Sequence, residues 1–144
     1  MNLDIKKVCN NVMIIVPHQD DEILMASGVI RICQKNNIPC TVVMATNGDY
    51  GCEDYSKGCA RLKESVAGLG TLGSNKESFE IMGYADTGMP ESESFLTHLY
   101  NEKNEQKIYS SSCAQETYGL KDKAEFHMRK YGKHGAYNRE TFVE

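Results

Sequence analysis

The feature that narrows the fold most is an alternation of strand and helix signals. Val12-Met13-Ile14-Ile15-Val16 is a continuous apolar, mostly β-branched run, as expected of a strand covered on both faces. From about Asp21 to Asn36 the pattern is helical, with Ile23, Ala26, Ile30 and Cys33 on one face. Thr41-Val42-Val43-Met44-Ala45 reads as a second buried strand, and Thr46-Asn47-Gly48-Asp49 has the chemistry of a turn. A second helix is expected from about Cys59 to Leu72, with Leu62, Val66 and Leu69 at i, i+4 and i+7, and Phe79 to Tyr84 reads as a third strand. This order predicts parallel strands joined by crossover helices: an α/β, Rossmann-like doubly wound, mainly parallel sheet with flanking helices.

Such a sheet binds ligands beyond the C-terminal ends of its strands. The segments that follow the three strands are Pro17-to-Glu22, Thr46-to-Asp49 and Ala85-Asp86, and all three carry carboxylates. The fold is expected to gather them on one rim.

The rest of the chain differs. Residues 1 to 85 contain twenty Ile, Leu or Val residues and residues 86 to 144 contain five, so the first part can build a core and the second has little aliphatic surface to bury. A single domain over 1–144 is expected, with 1–88 as the α/β core and 89–144 as a polar, aromatic-containing insertion or substrate-loop region. Short helices are expected at Ser94 to Glu102 and Asp122 to Tyr131, and another is entered after Asn138 as a cap. The net charge of −4 argues against nucleic acid or an anionic membrane as partner. No apolar run approaches the length of a membrane span. With no signal peptide visible, a cytoplasmic location is expected and the six cysteines read as free thiols.

The chemistry concentrates in Pro17-His18-Gln19-Asp20-Asp21-Glu22. His18 and Asp21 sit three apart where a strand turns into a helix, and imidazole nitrogen and carboxylate oxygen are both good zinc ligands. Asp20, between them, could stay off a metal and exchange a proton with a neighbouring water. The plainer reading is an acidic turn that caps a helix, with Asp20 and Asp21 at the N-cap and first turn and Glu22 beginning the helix, where negative charge is favoured.

Several ordered pieces resemble one family. Ile14-Ile15-Val16-Pro17-His18-Gln19-Asp20-Asp21-Glu22 resembles the opening signature of the PIG-L/LmbE-like deacetylases, usually Ala-His-Pro-Asp-Asp-Glu after an apolar strand. Gly28, the Thr46-Asn47-Gly48-Asp49 turn, the Arg61 and Glu64 pair, Leu69-Gly70 and Tyr84-Ala85-Asp86 follow in the family's order, so the resemblance covers residues 12 to about 89. It implies a zinc-dependent hydrolase that removes an N-acetyl group from an N-acetylglucosamine-type conjugate. His18 and Asp21 would be Zn2+ ligands and Asp20 the general base, with Arg61, Asp86 and Asp49 on the substrate side. For Asp49, plain turn chemistry is the favoured reading.

The resemblance fails at the third ligand, a histidine in a later His-x-x-His-type motif. The four histidines are His18, His98, His127 and His134, and no two lie three apart. The expectation is a truncated family member, incomplete at its C-terminus and inactive if no third ligand exists. The alternative is that His127 or His134 completes the site, against their reading as exposed loop residues. The tail tyrosines read as surface cover, with sugar stacking as the alternative. A sheet cut after three or four strands leaves an exposed edge, so poor stability or self-association into homo-oligomers is expected. Two competing functions stay in view: a receiver-like, magnesium-binding phospho-acceptor module with Asp86 as acceptor, and a non-catalytic sugar-binding relic.

Overall fold

The computed structural model describes residues 7–86 and 95–144. Three strands, β1 (Val12–Val16), β2 (Cys40–Thr46) and β3 (Phe79–Tyr84), form one parallel sheet in the order β1-β2-β3. Val12 pairs with Cys40 and Val16 with Met44, Val42 pairs with Phe79 and Thr46 with Tyr84, with an irregularity between Met44 and Thr46. Helices flank the sheet, and the Rossmann-like α/β expectation holds.

The first helical stretch is two helices, α1 (Asp21–Leu24) and α2 (Ser27–Asn36). Ala26 between them has a non-helical backbone, and Ser27-Gly28 is a weak helix-forming pair. The expected face survives the break: Ala26, Ile30 and Cys33 are buried and Ile23 packs against them. Asn37 ends α2 in the left-handed conformation, its N–H and that of Ile38 closing on the last turn. The second helix, α3 (Ser56–Thr71), starts three residues before its expected start, Cys59.

The sheet's two faces are not alike. On one, Val42, Met44, Phe79 and Ile81 pack with Ile30 and Cys33 of α2 and Leu62 and Leu69 of α3 into the main core. Both crossovers run the same way along the sheet, and right-handed crossovers then bring their helices to the same face. The other face carries Met13, Thr41, Val43, Glu80 and Met82, and among the described residues only a short helix from the tail, α5 (Phe126–Tyr131), lies over it. The expectation of a β1 covered on both faces is therefore corrected: Met13 and Ile15 are 66% and 69% exposed.

The tail contributes α4 (Phe95–Asn101), α5 and α6 (Arg139–Val143). Ser94, the expected start of α4, lies outside the described residues. The expected helix at Asp122 begins only at Phe126, where the Glu125 side chain accepts from the His127 and Met128 N–H groups. Asn138 caps α6 through Thr141 N–H, as expected.

The tail buries more than its aliphatic count suggests. Tyr84, Ala85, Leu99, Tyr109, Ala114, Tyr118 and Tyr137 make a second core, with aromatic rings in place of aliphatic side chains. Reading the tyrosines as surface cover holds for Tyr100, 63% exposed, but not for Tyr109, Tyr118 and Tyr137. The tail reaches the end of β3 at Gly83, whose φ of 84° favours glycine and whose added Cβ would stand 2.7 Å from the Tyr118 carbonyl oxygen.

The asymmetry between faces is measurable in urea unfolding. Ile30→Ala removes a fully buried side chain and is expected to cost about 2–5 kcal/mol. Ile15→Ala, on the open face, is expected to change stability by no more than about 0.5 kcal/mol.

Candidate active site

The ends of the three strands are tied together by the chain itself. Thr46 N–H and its Oγ1 both donate to the Pro17 carbonyl, at 2.8 Å each. Asn47 N–H donates to the Tyr84 carbonyl at 2.8 Å. The Asn47 amide group bridges the Gly83 and Tyr118 carbonyls at 3.2 and 2.9 Å. Asp86 N–H donates to Asp49 Oδ1 at 2.7 Å. The expected gathering of the three post-strand segments on one rim is therefore seen bond by bond.

Arg61 of α3 is the clasp across that rim. Its Nη1 donates to the Gly48 carbonyl at 2.7 Å, and its Nη2 to the Gln19 carbonyl at 3.1 Å and to Asp20 Oδ2 at 3.2 Å. A planar fork of fixed donors suits three acceptors from two loops. The fit requires glycine at 48: φ is 62°, and a Cβ would stand 2.1 Å from Gln19 Oε1 and 2.4 Å from Arg61 Nη1.

His18 and Asp21 are brought together. His18 Nδ1 lies 3.1 Å from Asp21 Oδ2 and 3.2 Å from the Gln19 carbonyl oxygen. Asp21 Oδ2 is buried and receives no directed hydrogen bond. Tetrahedral zinc, with bonds of about 2.0–2.1 Å to nitrogen and oxygen, holds adjacent ligand atoms roughly 3.3 Å apart. The pair therefore fits two of the three protein positions of a catalytic zinc. Among the described residues, no cluster of three or more His, Cys, Asp or Glu side chains is arranged to hold a metal.

Asp20 occupies the cap position of α1 without capping it, at φ 83°, in a region uncommon for a residue with a Cβ. Its carboxylate is 70% exposed and paired with Arg61. The helix-capping role foreseen for Asp20 is not what its side chain does.

Asp86 stands under the influence of the same group. Burial raises its carboxyl above the ordinary aspartate range and Asp49 adds to the rise, while His18, the Thr46 hydroxyl and Arg61 pull it back. Asp49 makes a turn bond, its carbonyl accepting from Cys52 N–H, but its side chain is fully buried. Besides the Asp86 N–H it accepts from Tyr118 Oη at 2.5 Å and Cys113 Sγ at 2.6 Å.

His127 and His134 are turned toward a different carboxylate. His134 Nδ1 is 3.0 Å from Glu125 Oε1, and His127 Nδ1 is 3.5 Å from Glu125 Oε2. His127 is not an exposed loop residue: it is 4% exposed, edge-on to Tyr84 and Phe126. Sequence reasoning missed Glu125, because nothing local marks a lone glutamate as the hub of two distant-looking histidines. Glu22 does stand in the first turn of α1, as expected, but it and Gln19 are buried with side-chain oxygens that find no partner.

Parallel strands whose ends converge on a histidine and several carboxylates define a Rossmann-like α/β protein with a candidate site at the strand ends. The chain belongs to the PIG-L family: the family model, described as GlcNAc-PI de-N-acetylase, matches residues 13–125. No curated protein and no solved structure matches it. Family membership carries a deacetylase-type function in general terms.

Glu125 makes the acid limb of stability informative. Burial opposes its charge, but the nearby His127 imidazole and hydrogen bonds with His134, the His127 amide and Thr117 outweigh burial and lower its pKa below the ordinary 4.5. A carboxyl depressed in the folded state stabilises above its unfolded pKa and loses that contribution as pH falls through the folded value. Urea unfolding of Glu125→Gln is therefore expected to show less loss of stability than wild type as pH drops below 4.5.

Proposed function

We propose that this rim is the site of a zinc-dependent hydrolase that removes the N-acetyl group from an N-acetylglucosamine-type conjugate. The observation that carries the reading is the approach of His18 Nδ1 to Asp21 Oδ2 at 3.1 Å, with the Asp20 carboxylate exposed beside them on Arg61. Bound there by His18 and Asp21, zinc would supply a Lewis acid for the amide carbonyl and lower the pKa of a nearby water toward about 7.

The residues then divide the work. Asp20 takes a proton from the attacking water as its oxygen bonds to the carbonyl carbon. It returns that proton to the amine nitrogen as the C–N bond breaks, releasing acetate and a free amino sugar. Arg61 fixes the Asp20 carboxylate while leaving it open to solvent. Arg61 and Asp86 are the groups in reach of sugar hydroxyls at the rim, and residues 95–144 form the substrate-side wall. A cytoplasmic setting for a small-molecule substrate belongs to the same proposal. Among the described residues, no helix is long and apolar enough to cross a membrane.

Metal titration and acetate release test the reading together. His18→Ala and Asp21→Ala are each expected to abolish zinc binding. Asp20→Asn should keep the metal and lower turnover roughly 10²–10⁴-fold. Tight one-to-one zinc that is lost in His134→Ala or His127→Ala would assign the third donor to that residue. Magnesium-dependent labelling by acetyl phosphate at Asp86, with no zinc preference, would sink the deacetylase reading.

A further inference from the structure

The Asp49 carboxylate is held away from solvent at the rim, and each hydrogen bond of its side chain leads elsewhere in the fold. Its side chain is fully buried. Oδ1 accepts from the backbone N–H of Asp86 at 2.7 Å. Oδ2 accepts from Tyr118 Oη at 2.5 Å and from Cys113 Sγ at 2.6 Å. A buried carboxylate held by three donors is spent on structure: a substrate hydroxyl would have to displace a donor that itself lies in a low-dielectric interior. Asp49 is thus poorly placed to contact a ligand.

Its three partners come from separated parts of the chain. Asp86 follows β3, and its carboxyl feels the charges of His18 and Arg61. Cys113 and Tyr118 belong to the tail. Tyr118 is itself held by several contacts: its backbone pairs with Gly83, its carbonyl accepts from Asn47, and its ring packs on Tyr55 at 4.5 Å. Gly58 leaves the room its hydroxyl needs, since a Cβ there would stand 2.1 Å from Tyr118 Oη. Ser112 Oγ also donates to the Cys52 carbonyl at 2.8 Å, fixing the tail to the loop that follows Asp49.

We infer that Asp49 is a positioning residue: it fixes the Asp86 carboxyl at the rim through the Asp86 amide, and holds it there only while Tyr118 and Cys113 of the tail are docked on its other oxygen. The inference rests on the proposed function for the role of Asp86, but the joint itself is independent of it. Charge-assisted hydrogen bonds are the strong ones, so one buried carboxylate can transmit the docking of the tail to a backbone position on the far side of the site. The burial that makes this joint firm also pushes the Cys113 thiol up to about 11, with the Asp49 hydrogen bond adding to the rise. Cys113 is therefore a neutral donor to Asp49 and not a reactive thiolate.

Amide exchange followed by nuclear magnetic resonance and steady-state kinetics on an N-acetylglucosamine conjugate separate the joint from the reaction. In Asp49→Ala the Asp86 amide is expected to exchange at least on the order of tenfold faster, with the Val42 amide in the core keeping its protection. Tyr118→Phe, which removes one donor and no volume of consequence, should loosen the Asp86 amide in the same direction by less. In turnover, Asp49→Ala should raise KM as Asp86→Ala does, with a smaller change in kcat, and the double variant should be no worse than Asp86→Ala. An Asp86 amide that keeps its protection in both Asp49→Ala and Tyr118→Phe overturns the inference. So does equal loss of protection at Val42, which marks a merely global effect, or a full additive penalty in the double variant, which marks a direct substrate contact. If wild type releases no acetate, the deacetylase reading fails and the exchange data still decide the joint.

Discussion

The parallel register of β1, β2 and β3 is the constraint from which the site follows. Pairing Val16 with Met44 and Thr46 with Tyr84 ends the three strands at one level. The chain then turns three times within hydrogen-bonding reach, so that Thr46 meets Pro17, Asn47 meets Tyr84 and Asp86 meets Asp49. Arg61 could not clasp Gln19, Asp20 and Gly48 if either loop stood one residue further along its strand, because a guanidinium fork has fixed reach and geometry. Charge accumulates at the rim because peptide and side-chain groups there are not consumed by the sheet ladder.

The rim also concentrates structural cost. Asp20 sits at positive φ, Gln19 and Glu22 are buried with unpaired oxygens, and Asp21 Oδ2 is buried beside an imidazole that gives it no directed hydrogen bond. Strained backbone and unsatisfied polar groups each cost on the order of 1–3 kcal/mol. They persist where the surrounding core over-determines the position, and here the core of α2, α3 and the sheet lies directly beneath. Such local costs support the proposed reading of this turn as a binding site over that of a plain capping turn.

The tail solves a packing problem with few aliphatic residues. Tyr109, Tyr118 and Tyr137 bury large rings and still place their hydroxyls on partners: Glu102 for Tyr109, Asp49 for Tyr118 and the Ala85 amide for Tyr137. Each ring therefore contributes apolar area and a directional bond at once. The same logic recurs at Glu125, which caps α5 and holds two imidazoles from positions seven residues apart. The tail is tied to the α/β unit by polar anchors inside an aromatic core, and those anchors end at the rim.

The strands, the crossover helices and the meeting of the three post-strand segments at one rim were legible in the sequence, because apolar periodicity and turn chemistry are local and the post-strand segments are short. That one face of β1 stays open was not legible, since VMIIV reads the same whether one face or both are covered. Coverage depends on which way the crossovers turn and where α5 lands. The break after Leu24 was marked only weakly by Ser27-Gly28. Asp49 looks in sequence like a turn aspartate, and nothing local marks Glu125. Only the tertiary structure makes them buried hubs, because the donors that neutralise their burial, Tyr118 and Cys113 for one and His127 and His134 for the other, are chosen by long-range packing and leave no local pattern.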